Sequence, residues 1–496
     1  MSLPVTGAPD SAEADAGPPL YRGKGGVWSP SSMGWAMFEF ARNPYFLLVV
    51  TFIFPPYFAS KVVGDPVQGQ AMVAAATWIA GFICAATAPL LGAMMDRGGR
   101  RKPLMALWVF CMAGSAAMLW FSLPKGMGGL GVAGTIIMLV LAFVSYTFSE
   151  VMHNGMLPLA GRRDLLQHIS AVSLGFGNGA GMLCLVLWLV FALGGRNALG
   201  VPADFNIERF VGPVMAIWFI VFVIPFFLLM PDGAPKGGSW IGAAKDLFRD
   251  DTGKVRITGT SRRFFAHIGG LFREFPEVMK YLLARIAFAD ALTTLLSLGG
   301  VYTTGVLQWT LPEIAIYAVY GSLFAALGSF FGGILDTKLG SRGAIALELT
   351  VIILCVVLQL SITKDTMLYG LIQNSDQAVW SGIPTGKDVP PAFASLSDVT
   401  YMILIAIISG SIAACLTSSR YMLVAMAPKH RVAEFFGLYM LSATATVWLG
   451  PLLNGIVTTV THSQRWGMAT VMILLVTGYV LFLTLKIEKK AEPEAA

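Results

Sequence analysis

Gly92-Ala93-Met94-Met95-Asp96-Arg97-Gly98-Gly99-Arg100-Arg101-Lys102-Pro103 lies between two long apolar runs, and its reading decides the fold. Four bases (Arg97, Arg100, Arg101, Lys102) crowd one acid, Asp96, beside two adjacent glycines. That composition suits a tight cationic turn between membrane spans, because glycine permits a short hinge and positive charge stays on the untranslocated side. Residues Gly332 to Arg342, Gly-Gly-Ile-Leu-Asp-Thr-Lys-Leu-Gly-Ser-Arg, repeat the pattern. In both copies a glycine stands four residues before an aspartate, Gly92 before Asp96 and Gly332 before Asp336, with bases and another glycine following. A doubled turn implies a doubled unit.

Composition agrees. Of the 496 residues, 56% are hydrophobic and 12% charged, with a mean hydropathy of +0.70, which excludes an ordinary soluble globular protein. Apolar runs of about 20 residues must be helical, since lipid offers no partner to backbone amides and carbonyls. The net charge of +6 does not argue for nucleic acid, because the bases gather in alternate inter-span loops. All five cysteines (Cys84, Cys111, Cys184, Cys355, Cys415) sit inside apolar runs without the close pairing of metal or redox motifs, so no cofactor or metal is expected. The stretch up to Pro30 lacks the basic start and apolar core of a signal peptide.

Apolar runs place spans near 33–60, 70–94, 104–123, 131–153, 166–194 and 210–230, then 278–307, 312–335, 343–362, 396–424, 434–459 and 466–486. The expected organisation is a disordered cytoplasmic tail (1–32), a six-helix half (33–230), a partly amphipathic cytoplasmic linker (231–277), a second half (278–487) and a short tail (488–496). Most bases, including the Arg97 to Lys102 cluster, Arg162, Arg163, Lys338, Arg342, Lys429, Arg431 and Lys486, fall on one side of the bilayer. The other side carries Lys61, Lys125, Arg196, Arg209, Lys364, Lys387 and Arg465. Both termini are therefore expected in the cytoplasm, and the expected placement is the plasma (inner) membrane. The 363–395 loop is the largest external excursion and could lie over the outer mouth.

A charge deep in a span costs roughly 2.5 to 3.5 kcal/mol on insertion scales, so each one needs a partner or a water-filled cavity. Glu39 and Arg42 are three apart on one face of the first span, and Asn43-Pro44 follows, where the proline frees a carbonyl and kinks the helix. In the fourth span Glu150, His153 and Asn154 share a face, and Glu150 stands eight residues before Pro158 as Arg420 stands eight before Pro428. In the seventh, Arg285 and Asp290 are five apart; Asp290 lies about 18 Å from position 278, near the middle of a roughly 30 Å core. Plainer readings stand beside these. Glu39 and Arg42 could merely neutralise each other, Glu150 and Arg420 could snorkel or pair as a gate, and His153 could be a packing residue or a titrating one. Glu348 reads as interfacial, and the Gly175, Gly177, Gly179, Gly181 run as close helix packing.

The doubled Gly-Asp turn resembles the signature of the major facilitator superfamily, which joins the second and third helices of each six-helix half. Gly34-Trp35-Ala36-Met37-Phe38-Glu39-Phe40-Ala41, Phe54-Pro55-Pro56-Tyr57-Phe58, Ala289-Asp290, Glu434-Phe435-Phe436-Gly437-Leu438-Tyr439 and Gly450-Pro451-Leu452-Leu453 resemble the vacuole effluxer branch, which includes the autophagy-related exporter of amino acids. This resemblance implies twelve helices in two parallel repeats, with spans 1, 4, 7 and 10 lining a central cavity. It also implies that Asp96 caps the start of span 11 near Glu434 and that Asp336 caps span 5. Where the family pattern carries Asp and Asn-Ser, this chain has Glu39 and Arg42-Asn43-Pro44, and the added arginine favours a substrate with a carboxylate or phosphate.

The expected protein is thus a monomeric secondary transporter of a small-molecule substrate, amino acids or small peptides by resemblance, embedded in the lipid bilayer and coupled to a proton or sodium ion. Asp290, Glu39, Arg42, Asn43, Arg285, Glu150, His153, Asn154 and Arg420 are its candidate substrate and coupling residues. Gly92, Asp96, Arg97, Arg100, Arg101, Gly332, Asp336, Arg342 and Glu434 are the candidate latch. Competing readings are transport of anionic amphiphilic or lipid-like cargo, a polytopic lipid-modifying enzyme, and a sensor that keeps the fold without transport. No phosphate-binding Gly-x-x-x-x-Gly-Lys-Ser/Thr loop, His-Glu-x-x-His or Gly-x-Ser-x-Gly is present.

Overall fold

The computed structural model describes residues 25–97, 101–162, 165–195, 198–202, 205–232, 268–374, 379–384, 391–427, 435, 438–439 and 447–486. The expected tail (to residue 24), most of the linker (233–267) and the last residues (487–496) lie outside the described residues.

Twelve helical segments follow the expected order. They are α1 (Pro30–Val63), α2 (Pro66–Arg97), α3 (Lys102–Phe121), α4 (Gly131–Ala160), α5 (Leu166–Val190) and α6 (Ile207–Leu229). The second set is α7 (Pro276–Leu307), α8 and α9 as the two parts of Leu311–Leu360, α10 (Leu396–Met426), α11 (Leu449–Thr461) and α12 (Gln464–Leu483). Large apolar side chains such as Phe110, Ile217, Leu354 and Ile473 point outward, as a lipid-facing surface requires.

Local chemistry sets the ends. Ser29 caps α1 by accepting the Ser32 N–H, with Pro30 at the first position, where its missing donor is harmless. Thr310 and Glu313 form a capping box at α8. The repeated Gly-Asp motif is less of a loop than its composition suggests: α2 stays helical through Arg97. The α8–α9 run turns only at Gly340, whose φ of +69° is the left-handed conformation that glycine adopts without strain.

The two repeats are tied by the same device. Arg209, at the start of α6, donates from Nε and Nη2 to the Trp120 carbonyl at the end of α3 at 3.0 and 2.7 Å. Arg465, at the start of α12, does the same to the Leu360 carbonyl at the end of α9 at 3.0 and 2.8 Å. At the opposite ends, Lys102 reaches the Phe227 carbonyl and Arg342 the Leu483 carbonyl. Within the first repeat α1 packs on α5 and α6; in the second, α7 packs on α12.

The halves meet through α2 with α11, α5 with the α8–α9 run, and α1 with α7. At the ends farthest from the termini, Gln70 Nε2 donates to Asn454 Oδ1, Thr458 Oγ1 and the Gln464 carbonyl, each at 3.2 Å, while Gln464 Nε2 donates to the Pro66 carbonyl at 2.8 Å. This buried amide cluster ties the two halves together at that end. Beyond it, part of the 363–395 loop forms a short hairpin, Thr366–Met367 with Ile372–Gln373. Phe393 of the same loop packs edge-on against Trp309.

Candidate functional site

Trp35, Phe38, Glu39 and Arg42 recur at helical spacing, so one stripe of α1 faces α4. Arg42 Nη2 donates to both oxygens of Glu39 at 2.9 Å, and Nη1 donates to Glu150 Oε2 at 3.1 Å. The guanidinium also lies 4.3 Å from the Tyr146 ring centroid, a cation–π contact the sequence reading missed. Next to this pair, His153 stacks on Trp35 and Phe38 at 4.2 and 4.6 Å, with Nδ1 3.4 Å from Glu39 Oε1. Exposure grades outward: His153 0%, Arg42 4%, Glu39 14%, Glu150 42%.

Two expectations change here. Arg42, expected to pair with a substrate anion, is buried and already shared by two carboxylates, and the most exposed charge of the cluster is the Glu150 carboxylate. Asn154, one residue past His153, is exposed and takes no part in the cluster, since a 100° step per residue carries it off the stripe. Arg420 is likewise exposed and joins none of these contacts.

Pro44 frees the Phe40 carbonyl as expected, and Trp218 Nε1 donates to it at 3.3 Å. Directly after, α1 widens into π-helical turns over Phe46–Phe52. Asn43 Nδ2 donates to Asn178 Oδ1 at 3.2 Å across to α5. The α5 glycines divide: a Cβ on Gly177 would meet Glu39 and on Gly181 would meet Leu47, whereas Gly175 and Gly179 have nothing within 4 Å.

In the second half, Asp290 is 4% exposed, and its Oδ2 accepts the Gly450 N–H at 3.0 Å. Gly450 is the second residue of α11, whose preceding residue Trp448 offers no side-chain cap. Asp290 therefore supplies, from another helix, the acceptor that an orphan amide at a helix start needs, at the positive end of the helix dipole. Its Oδ1 has no hydrogen-bond partner among the described residues. Arg285, five residues earlier, donates to the Tyr439 carbonyl at 3.0 Å, with its guanidinium 3.4 Å from that ring centroid, and Tyr439 OH is 2.7 Å from Ser419 Oγ.

The latch candidates separate. Side chains of Gly92, Asp96 and Arg97, and residues Arg100 and Glu434, lie outside the described residues, so the expected cap on span 11 does too. Arg101 donates to the Gly155 carbonyl and its backbone N–H to Asp232, and Arg342 reaches α12. Gly332 lets α8 approach α10, since a Cβ there would sit 2.8 Å from Ala414 Cα. Asp336 faces the Ser341 and Ser418 hydroxyls of its own half; among the described residues it makes no cap on α5. Glu348, expected at the interface, is 3% exposed, and Ser418 Oγ lies 3.4 Å from it, because α9 turns that face toward α10. Among the described residues no three His, Cys, Asp or Glu side chains gather as a metal site.

Residues 59–495 match the family model described as vacuole effluxer Atg22 like. Autophagy-related protein 22 of Cryptococcus neoformans is 21% identical over 313 residues, covering 62% of this chain and 48% of that protein; the chain thus spans about half the length of that relative. The uncharacterized MFS-type transporter YxiO of Bacillus subtilis is 21% identical over 454 residues, covering 90% and 92%. The nucleoside transporter NupG superposes with a TM-score of 0.58 at 13% identity, covering 92% of this chain and 98% of that one. A bacterial homolog of the lysosomal transporter Spinster, inward-facing and occupied, gives 0.57 at 13%, covering 92% and 95%. These likenesses carry the fold. The expected plasma-membrane placement does not stand against a family of vacuole effluxers with fungal autophagy-related relatives. Loop bases report which side of a bilayer faces the cytoplasm and carry no information about which bilayer it is.

Proposed function

The chain belongs to the vacuole effluxer Atg22-like family of the major facilitator superfamily, and on that premise we propose that it is an ion-coupled secondary transporter of small organic solutes working by alternating access. The observation that carries this reading is the buried Asp290 carboxylate, with one oxygen on the Gly450 amide and the other without a hydrogen-bond partner among the described residues. An isolated carboxylate inside a span is stabilised by taking up a cation, and here doing so alters the contact that holds the start of α11. Ion binding and helix movement then share one residue, as a coupled carrier needs.

Amino acids or small peptides are the substrate class, by the family and by Glu150, which offers a carboxylate to an ammonium group. Arg42, buried and already shared by two carboxylates, argues against anionic amphiphilic cargo. The working unit is a monomer with two six-helix halves, 33–230 and 278–487, both termini cytoplasmic, and transport rather than lipid-modifying catalysis as its activity. The Asp96 and Asp336 turns act as latches in the state closed toward the termini.

The test is internal pH in proteoliposomes loaded with a proton-sensitive dye, challenged with amino acids, dipeptides and anionic amphiphiles, for the native chain and Asp290→Asn. Substrate-driven proton movement that is lost in the variant is the expected result. Absence of any flux of a labelled substrate would overturn the transporter reading, and flux without proton movement would assign sodium or uniport.

A further inference from the structure

His153 Nε2 lies 2.8 Å from the Trp35 carbonyl. A carbonyl oxygen only accepts, so Nε2 carries a hydrogen, and this bond also fixes which way the ring faces. The other nitrogen, Nδ1, then sits 3.4 Å from Glu39 Oε1. Were His153 neutral and Glu39 ionised, a lone pair would face a carboxylate in a site where His153 is 0% exposed and little water is available to separate them. One proton between the two groups removes that conflict.

Charge balance gives the same answer independently. The groups facing His153 and Glu39 are Arg42 from α1 and Tyr146 and Glu150 from α4. The α6 side contributes the Phe226 ring, and α5 brings Gly177 against Glu39. Without an added proton, one arginine stands against two carboxylates. With it, positive and negative charges are equal in number, whether the proton sits on His153 or on Glu39.

We propose that Glu39 and His153 form a buried proton-binding site in the amino-terminal half, separate from Asp290, whose ligand is a proton and not sodium. A hard cation needs several free oxygen ligands, whereas here both Glu39 oxygens are held by Arg42 and the opposing atom is a nitrogen. This deepens the coupled-transporter reading, on which only its role in transport rests.

The test needs no substrate. Histidine-selective 15N labelling of the full chain in lipid nanodiscs at neutral pH reads the protonation of each ring. His153 is assigned by the signal lost in His153→Gln or, should that variant not fold, by removing His168, His267, His430 and His462 in turn. A doubly protonated His153 that becomes singly protonated at Nε2 in Glu39→Gln is the expected result. A singly protonated ring accompanied by an infrared carboxylic-acid band that disappears in Glu39→Gln places the same proton on Glu39 and also supports the site. A singly protonated ring with no such band overturns it. Absence of any labelled-substrate flux would remove the transporter reading and leave this result untouched.

Discussion

Asp290 and Gly450 are 160 positions apart in sequence, yet the carboxylate of one, on α7, completes the first turn of the helix that carries the other. Pro451 has no N–H, and the Leu452 amide already bonds the Trp448 carbonyl, so Gly450 supplies one of the few donors at that helix start. Whatever changes Asp290 therefore acts on α11 directly.

Asp290→Asn keeps the acceptor oxygen and the volume but cannot ionise. Substrate exchange at equal pH should persist within a few-fold of the native rate, while accumulation driven by a pH gradient should be lost. Radiolabelled exchange and gradient-driven uptake in the same proteoliposome preparation separate the two. Gradient-driven uptake at native levels would remove Asp290 from coupling.

Gly450 is required by closeness. A Cβ there would fall 2.1 Å from Thr294 Oγ1. Gly450→Ala should destabilise the protein by roughly 1–3 kcal/mol through overpacking, and Thr294→Ala, which removes the clashing hydroxyl, should restore most of that. Denaturant unfolding of the two single variants and the double variant gives the coupling. If the losses simply add, the contact is not what limits the site.

The two carboxylates on Arg42 should differ sharply. Arg42→Gln removes the guanidinium that Glu39 and Glu150 share, and breaking a buried pair in this way costs about 3–5 kcal/mol. Glu150→Gln touches a side chain that is 42% exposed, and exposed pairs contribute about 0–1 kcal/mol. Thermal unfolding should show a large drop for the first variant and a small one for the second. Equal effects would mean that Glu150 is structural.

How far the sequence could be read follows from the range of each interaction. The Glu39–Arg42 pair was visible because helical spacing alone puts them on one face. The place of Asp290 midway along its helix was visible because rise per residue fixes it. That Arg42 is shared with Glu150 and Tyr146 was hidden, since they arrive with another helix 108 and 104 positions away. The Gly450 partner of Asp290 was hidden for the same reason. The α5 glycines show the limit of a motif: all four read as packing residues, but only Gly177 and Gly181 meet α1. Glu348 reads as interfacial from its position near a span end, and only the packing of α9 against α10 reveals that it is buried.

The amide cluster at the ends far from the termini supports the last prediction. Gln70 is fully buried, and one nitrogen reaches Asn454, Thr458 and Gln464 across the halves. Gln70→Leu nearly conserves volume while removing every one of these bonds, and it leaves the polar atoms of the opposite half without their partner. If the cluster holds that side shut, the variant should populate a state with α1 and α11 farther apart there. Spin labels at Lys61→Cys and His462→Cys, both exposed near those ends, should then gain a longer component in their distance distribution. A distribution identical to that of Gln70 protein would mean that the seal is set by apolar packing, such as Gly300 against the Thr51 carbonyl and Pro56, and that the amides only satisfy one another.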